Sequence, residues 1–213
     1  MTLFALIGQP LFFCYTFFMK LYPAKSFDIN SIMAIERSAF IPQIQENQKT
    51  FEERMSVFPN GFLILQDVSE KTVLEQGHAV TAGYFCSEIW PSVPEDKFFE
   101  LGHSAKKMHT DTGSVLYVSS FALAPDYRGK GLSFNFFKDS LNSICGAYNS
   151  IKTVVLLVNE EWTGALCVYK KLNFKTLRII KGFFPSLHKA KTDGFIMTAS
   201  ADYFRMNEGI SND

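Results

Sequence analysis

A chain of 213 residues is long enough for one substantial core and short for two. Apolar residues make up 47% and charged residues 20%, which excludes a disordered chain. Lysine plus arginine (21) equals aspartate plus glutamate (21), so the cationic surplus that drives nucleic-acid binding is missing and no nucleic-acid partner is expected. In chain order, residues 3–18 are almost entirely apolar, have no basic residue before them and contain Gly8-Gln9-Pro10. They fall short of the ~20 residues of a membrane span and do not resemble a signal peptide. The expected reading is an apolar extension over residues 1–18 ahead of a true start at Met19, with a membrane anchor as the alternative.

Residues 20–23 read as a short strand. A helix follows, with Asp28 as N-cap and Ile29, Ile32, Ile35, Glu36 and Phe40 in helical period. A second helical stretch lies within 43–58, where Phe51, Met55 and Phe58 share a face. Asn60-Gly61 marks a turn, and residues 61–67 and 79–89 read as antiparallel strands joined by the polar segment 68–78. Residues 90–113 form a long excursion with a helix expected within 96–108; connections of that length commonly act as a lid or substrate wall.

Residues 115–123 read as a strand, Pro125-Asp126 breaks it, and Arg128-Gly129-Lys130-Gly131 leads into a helix with Leu132, Phe136, Phe137 and Leu141 on one face. A strand, a basic glycine-rich loop and a helix N-terminus make an anion site: glycine lets the backbone approach a phosphate, and free amides and the helix dipole favour negative charge. The Walker and dinucleotide-binding spacings are both absent. A strand over 153–158, a helix over 162–172 and strands over 174–181 and 195–201 complete the order β-αα-β-β-(insert)-β-α-β-α-β-β. Cys14, Cys86, Cys145 and Cys167 form no Cys-x-x-Cys pair and read as reduced thiols of a cytoplasmic protein. His103 and His109 have poor metal spacing, and no metal is expected.

The loop resembles the acetyl-CoA loop of the GNAT acyltransferase superfamily, Arg/Gln-x-x-Gly-x-Gly/Ala, with Arg128, Gly131 and Ser133 in the three fixed places. Residues 159–174 (NEEWTGALCVYKKLNF) resemble its second pattern, with Asn159, Ala165, Tyr169 and Phe174 in register and Asn173 in place of the helix-ending glycine. The element order matches that fold. The helix IERSAF, the strand from Gly83 to Trp90 and its insert resemble the aralkylamine (serotonin-type) N-acetyltransferases and their bacterial relatives. There the signature strand carries two relay histidines; here those places hold Tyr117 and Ser119.

The resemblance implies an α/β (α+β) domain over residues 19–205 with a C-terminal tail, 206–213. Its mixed sheet would carry helices on both faces and a splayed strand pair holding acetyl-CoA. Amides near Phe121, Ala122 and Leu123 would bind the pantetheine arm and polarise the acetyl oxygen. Gly129, Lys130, Gly131, Leu132, Ser133 and Phe134 would hold the diphosphate, with charge from Arg128 and Lys130, and Asn159 would add a contact. Tyr169 falls on the family's general acid. Glu36, Glu88, Tyr117, Ser119 through water, and His103 or His109 are the candidates for taking the acceptor's proton. Trp90, Phe98, Phe99 and Phe40 are candidates for an apolar acceptor slot. The implied activity is acetyl transfer from acetyl-CoA to a small primary amine by a monomer or homodimer. The alternatives are a protein N-acetyltransferase and a non-catalytic acyl-CoA-binding domain.

Overall fold

The structure is a computed structural model that describes residues 18–188 and 190–205. The apolar extension up to residue 17 and the tail 206–213 lie outside the described residues. The chain runs β1 (Met19–Pro23), α1 (Ile29–Ala39), α2 (Gln48–Val57), β2 (Phe62–Asp67), α3 (Glu70–Gln76), β3 (Val80–Trp90), α4 (Ala105–Met108), β4 (Val115–Leu123), α5 (Leu132–Ala147), β5 (Thr153–Asn159), α6 (Thr163–Lys171), β6 (Lys175–Pro185), β7 (Lys191–Ser200) and α7 (Asp202–Arg205). Among the described residues the strands form one mixed sheet in the order β1-β2-β3-β4-β5-β7-β6, in which only β4 and β5 pair in parallel. The expected order of major elements is present.

Three local expectations are corrected. Asp28 does not cap α1 through its side chain; its carboxylate accepts from the Lys25 amide at 2.8 Å and closes a 3-10 turn over Ser26–Asp28. The segment 68–78 is no plain connection, because Ser69 Oγ accepts from the Thr72 amide at 3.2 Å and caps α3. The insert holds a 3-10 turn (Asp96–Phe98) and the four-residue α4 in place of one helix, and Leu101-Gly102 separates them.

Both faces of the sheet are covered. Ile29, Ile32 and Ile35 of α1 join Phe51, Phe62, Ile64, Tyr84 and Ala122 on one face. Leu132, Phe136, Phe137 and Leu141 of α5 join Phe85, Leu116 and Val118 on the other. Glu36 follows Ile32 by four residues and Ile29 by seven, so helical period places its carboxylate on the buried face of α1.

Two irregularities of β4 create the cleft. Its ladder to β5 stops at Val118 and Leu156, and beyond that point residues 157–159 of β5 pair only with β7. Its ladder to β3 slips between Cys86 and Ser87, where Cys86 faces Ser120, Ser87 faces Val118, and Ser119 is the extra residue. A bulge shifts the two-residue alternation and re-aims the side chains after it. Leu116 and Val118 face α5 before the slip, Phe121 and Leu123 after it, and Ser120 therefore turns toward Tyr84 on the α1 face.

Asn173, at φ +64°, ends α6 in the left-handed conformation that its sequence position predicts. The Phe174 amide donates to the Tyr169 carbonyl at 3.0 Å and the Asn173 amide to the Lys170 carbonyl at 3.2 Å, a Schellman pairing, and the Tyr169 and Phe174 rings pack 5.8 Å apart. Asn173→Ile forces a β-branched residue into that conformation and is expected to cost roughly 1–2 kcal/mol. A urea midpoint that does not fall would contradict this role.

Candidate active site

The splay between β4 and β5 opens a cleft of about 490 Å³. Phe121, Ala122 and Leu123 line it along β4, Gly129 and Ser133 line it beyond the strand, and Tyr169 and Val168 come from α6. Further back along β4, Tyr117, Ser119 and Ser120 line it beside Glu36 and Glu46. The loop thus stands at the end of the strand and the carboxylates stand beside its middle.

Gly129 (φ +71°) and Gly131 (φ +77°) both adopt the left-handed region, and an added Cβ at either would meet no atom within 4 Å. The glycines are required by backbone conformation and leave open space above the loop. Gly131 ends the loop without a side chain to cap α5, so the first-turn amides of that sixteen-residue helix keep their unpaired donors. Leu132 is buried, Phe134 packs on the core, and Lys130 Nζ sits 5.6 Å over the Tyr127 ring. What the loop and helix offer a ligand is therefore main-chain N–H. Arg128 lines the cleft, but its guanidinium donates to the Leu123 carbonyl at 2.8 Å and to Ser38 Oγ at 2.8 Å, tying the end of β4 to α1. Asn159 is not part of the cleft wall; its Oδ1 accepts from the Glu161 amide at 2.9 Å.

Tyr169 is 8% exposed, packs against Phe137 at 4.9 Å, and among the described residues its hydroxyl has no hydrogen-bond partner. Burial pushes its phenol above the usual range, so it stays protonated. Tyr117 stacks on Trp90 at 4.0 Å, and burial, with the charge of Glu88, also raises its phenol. Ser119 donates to the Cys86 carbonyl at 3.2 Å.

Glu36 is 1% exposed. Its Oε1 accepts from the Glu46 amide at 2.7 Å and its Oε2 from the Tyr84 hydroxyl, which also bonds Ser120 Oγ at 2.8 Å. Burial pushes the Glu36 carboxyl up to about 7, against the lowering effect of the Tyr84 and Glu46 hydrogen bonds. Glu46 is itself held by Arg54 at 2.9 Å.

The other candidates stand behind the wall. Glu88 is fully buried, paired with His103 at 2.7 Å and with Arg54 at 3.4 Å, and accepts from the Trp90 indole at 3.1 Å. His109 accepts from the Ile89 amide at 3.1 Å and stacks on Phe58, a structural position. Trp90 and Phe99 are buried behind Tyr117, and Phe98 is exposed. Of the four aromatic residues expected in an acceptor slot, Phe40 alone lines the cleft, where Trp162 packs on it at 5.4 Å and on Phe184 at 5.3 Å. Tyr84 and Ser120 were not legible from sequence as site residues, because the bulge that joins them has no motif. Among the described residues no group of three or more His, Cys, Asp or Glu side chains is placed to hold a metal, and no helix is long and apolar enough to cross a membrane.

The loading GNATL domain of CurA from Lyngbya majuscula superposes with a TM-score of 0.70 at 15% identity, over 87% of this chain and 98% of that one. The fold is the GNAT fold. Arabidopsis thaliana NAA60 in complex with acetyl-CoA shares it, with a TM-score of 0.64 at 16% identity over 86% of this chain and 99% of that one. In sequence, an N-alpha-acetyltransferase of Saccharolobus solfataricus is 32% identical over 68 residues, which is 32% of this chain and 40% of that relative. The matched part thus spans well under half of the relative's length. No family model matches the chain. The GNAT fold places the β4–β5 splay, the glycine loop and the α5 N-terminus around one cleft.

Proposed function

We propose that residues 19–205 are an N-acetyltransferase domain that moves an acetyl group from acetyl-CoA to a primary amine by direct attack. The observation that carries this reading is the splay itself: one continuous cleft joins uncapped helix amides and open glycines at its loop end to a buried carboxylate with a raised pKa beside its middle. Both ends suit the parts. Main-chain donors at Gly129, Lys130, Gly131, Leu132, Ser133 and Phe134 fit a diphosphate. The β4 backbone at Phe121, Ala122 and Leu123, released from β5, fits the pantetheine arm and the thioester oxygen.

When bound, acetyl-CoA supplies an activated acyl group. The chain's residues orient the amine, take one of its protons and supply one for the departing sulfur. Glu36 has a carboxyl near 7 and is the proton acceptor. Tyr169 presents a protonated, unpartnered hydroxyl as hydrogen-bond donor and general acid toward the thiolate. Its raised pKa makes it a weak acid, so its share of the acceleration is modest. Tyr117 and Ser119 shape the wall where the amine stands. No covalent enzyme intermediate is invoked; positioning in a ternary complex supplies much of the rate.

The acceptor is a small aralkylamine-like molecule in this reading, because Phe40, Ile44, Leu101 and Phe184 give the cleft apolar walls close to the two carboxylates. A peptide α-amine is the second reading, supported by the name of the Saccharolobus solfataricus relative. Buried free thiols at Cys86 and Cys145 fit a cytoplasmic setting. A thiol-release assay across aralkylamines, polyamines and N-terminal peptides separates these. Tyr169→Phe is expected to lower kcat about tenfold, below the ~10²- to 10⁴-fold typical of a positioned acid because its raised pKa makes it a weak one, with KM for acetyl-CoA unchanged. An unaltered kcat removes Tyr169 from the mechanism. Tight acetyl-CoA binding without release for any amine leaves a non-catalytic binding domain.

A further inference from the structure

The carboxylate assigned as proton acceptor has both oxygens engaged. Oε1 accepts from the Glu46 amide and Oε2 from the Tyr84 hydroxyl, and only 1% of Glu36 is exposed. The hydroxyl that continues this chain into the cleft belongs to Ser120, 2.8 Å from Tyr84.

The directions of these bonds follow from counting protons. A phenol has one. With Glu36 ionised, the Tyr84 proton goes to the carboxylate, so Ser120 must donate to Tyr84. The Ser120 proton is then committed, and its two lone pairs are the acceptors left for a cationic N–H in the cleft. Burial and the adjacent carboxylate hold the Tyr84 phenol well above its usual range, so it stays neutral and can accept one proton while passing on another.

We infer that Tyr84 and Ser120 form a two-hydroxyl proton relay between the acceptor's ammonium group and the buried Glu36, an assignment that rests on the acetyl-transfer reading above. The ammonium N–H proton passes to Ser120 Oγ, the Ser120 proton to the Tyr84 oxygen and the Tyr84 proton to Glu36 Oε2. The amine is left neutral, both hydroxyls are restored with their bonds reversed, and Glu36 becomes a carboxylic acid. Loss of that proton to water through the same hydroxyls, after product leaves, resets the chain. Ser120 contacts the substrate in this scheme, and Tyr84 acts through it.

The bulge at Ser119 gives the relay its geometry. Without the extra residue, Ser120 would share the face of Leu116 and Val118 and point toward α5. With it, Ser120 turns toward α1 and meets Tyr84, which is fully buried against Phe51 and Phe62.

The test is steady-state kinetics of Tyr84→Phe, Ser120→Ala and the double variant, with the amine that turns over fastest in the thiol-release screen. Each single variant is expected to lose roughly a hundredfold in kcat at pH 6.5, the lower end of the range for a positioned acid or base, with KM for acetyl-CoA unchanged. The loss should shrink to within about threefold near pH 9.5, where more of the amine arrives already neutral. The double variant should be no worse than either single one, since all three break one path. Ser120→Ala keeps the Tyr84–Glu36 bond, so its deficit cannot come from a disturbed carboxylate. A loss equal at all pH values, an unchanged Ser120→Ala enzyme, or additive losses in the double variant overturns the relay while leaving acetyl transfer in place. Absence of wild-type turnover with every amine overturns both.

Discussion

Gly131→Glu is expected to raise the dissociation constant for acetyl-CoA at least a hundredfold while leaving a folded protein. The two effects separate because the residue lies where backbone conformation is special and packing is absent. At φ +77°, a non-glycine residue costs about 1–2 kcal/mol, and a new Cβ there meets no neighbour within 4 Å. That loss lowers the melting temperature by a few degrees in a domain of this size. For the ligand, a carboxylate at the entry to α5 opposes the positive end of the helix and repels a diphosphate. Two charges ~4 Å apart at an effective dielectric of ~20 interact by about 4 kcal/mol, and screening leaves enough for the hundredfold change. Gly131→Asn is the control, since asparagine tolerates the left-handed region and brings no charge; it should retain most of the affinity. Calorimetric titration of each variant with acetyl-CoA, in the absence of amine, measures both affinities. Equal affinity in wild type and Gly131→Glu would remove the loop from the coenzyme site.

Much of this architecture is legible in the chain. The strand over 115–123 and the helix beginning at Leu132 stand where their apolar patterns put them, because both are long and their punctuation is strong: Pro125 closes one and Gly131 opens the other. Asn173 takes the backbone conformation that its place in the second motif requires. The misreadings have physical causes. Asp28 looks like a helix cap, but a 3-10 turn one residue earlier captures its carboxylate. In the insert, the expected helix is cut by a turn at Leu101-Gly102, where no hydrophobic period crosses. The site is less legible than the fold. Glu36 is named by the IERSAF helix, yet its raised pKa depends on burial that only the packed α1 reveals. Ser120 and Tyr84 lie thirty-six positions apart and meet through a one-residue slip in a ladder, which leaves no trace in composition or spacing.

Glu36→Gln is expected to lower kcat by about 10²- to 10⁴-fold near neutral pH, the range found for loss of a positioned base. The substitution is informative because it keeps the packing and can satisfy every bond. The new amide oxygen accepts from the Glu46 amide, its NH₂ donates to the Tyr84 oxygen, and Tyr84 turns its proton toward Ser120. The chain of hydroxyls is then intact but reversed, so Ser120 can no longer pass a proton on to Tyr84 and no carboxylate stands at its end to receive one. The pH dependence should change as well. Wild-type rate should rise through about pH 7 as Glu36 ionises, whereas the variant should rise only as the free amine loses its own proton. Stability gives an independent check. The Glu36 carboxyl ionises near its ordinary 4.5 in the unfolded chain and near 7 when folded, so between those values the folded state holds the extra proton. Wild-type stability therefore falls as pH rises across that window. Glutamine cannot titrate, so the stability difference should move in favour of the variant by about 3 kcal/mol between pH 4 and pH 8, at 1.36 kcal/mol for each pH unit separating the two pKa values. Urea unfolding at the two pH values measures it. A difference that stays constant would show that Glu36 ionises normally in the folded protein, and a buried carboxylate that ionises normally has no reason to take a proton from an amine at neutral pH.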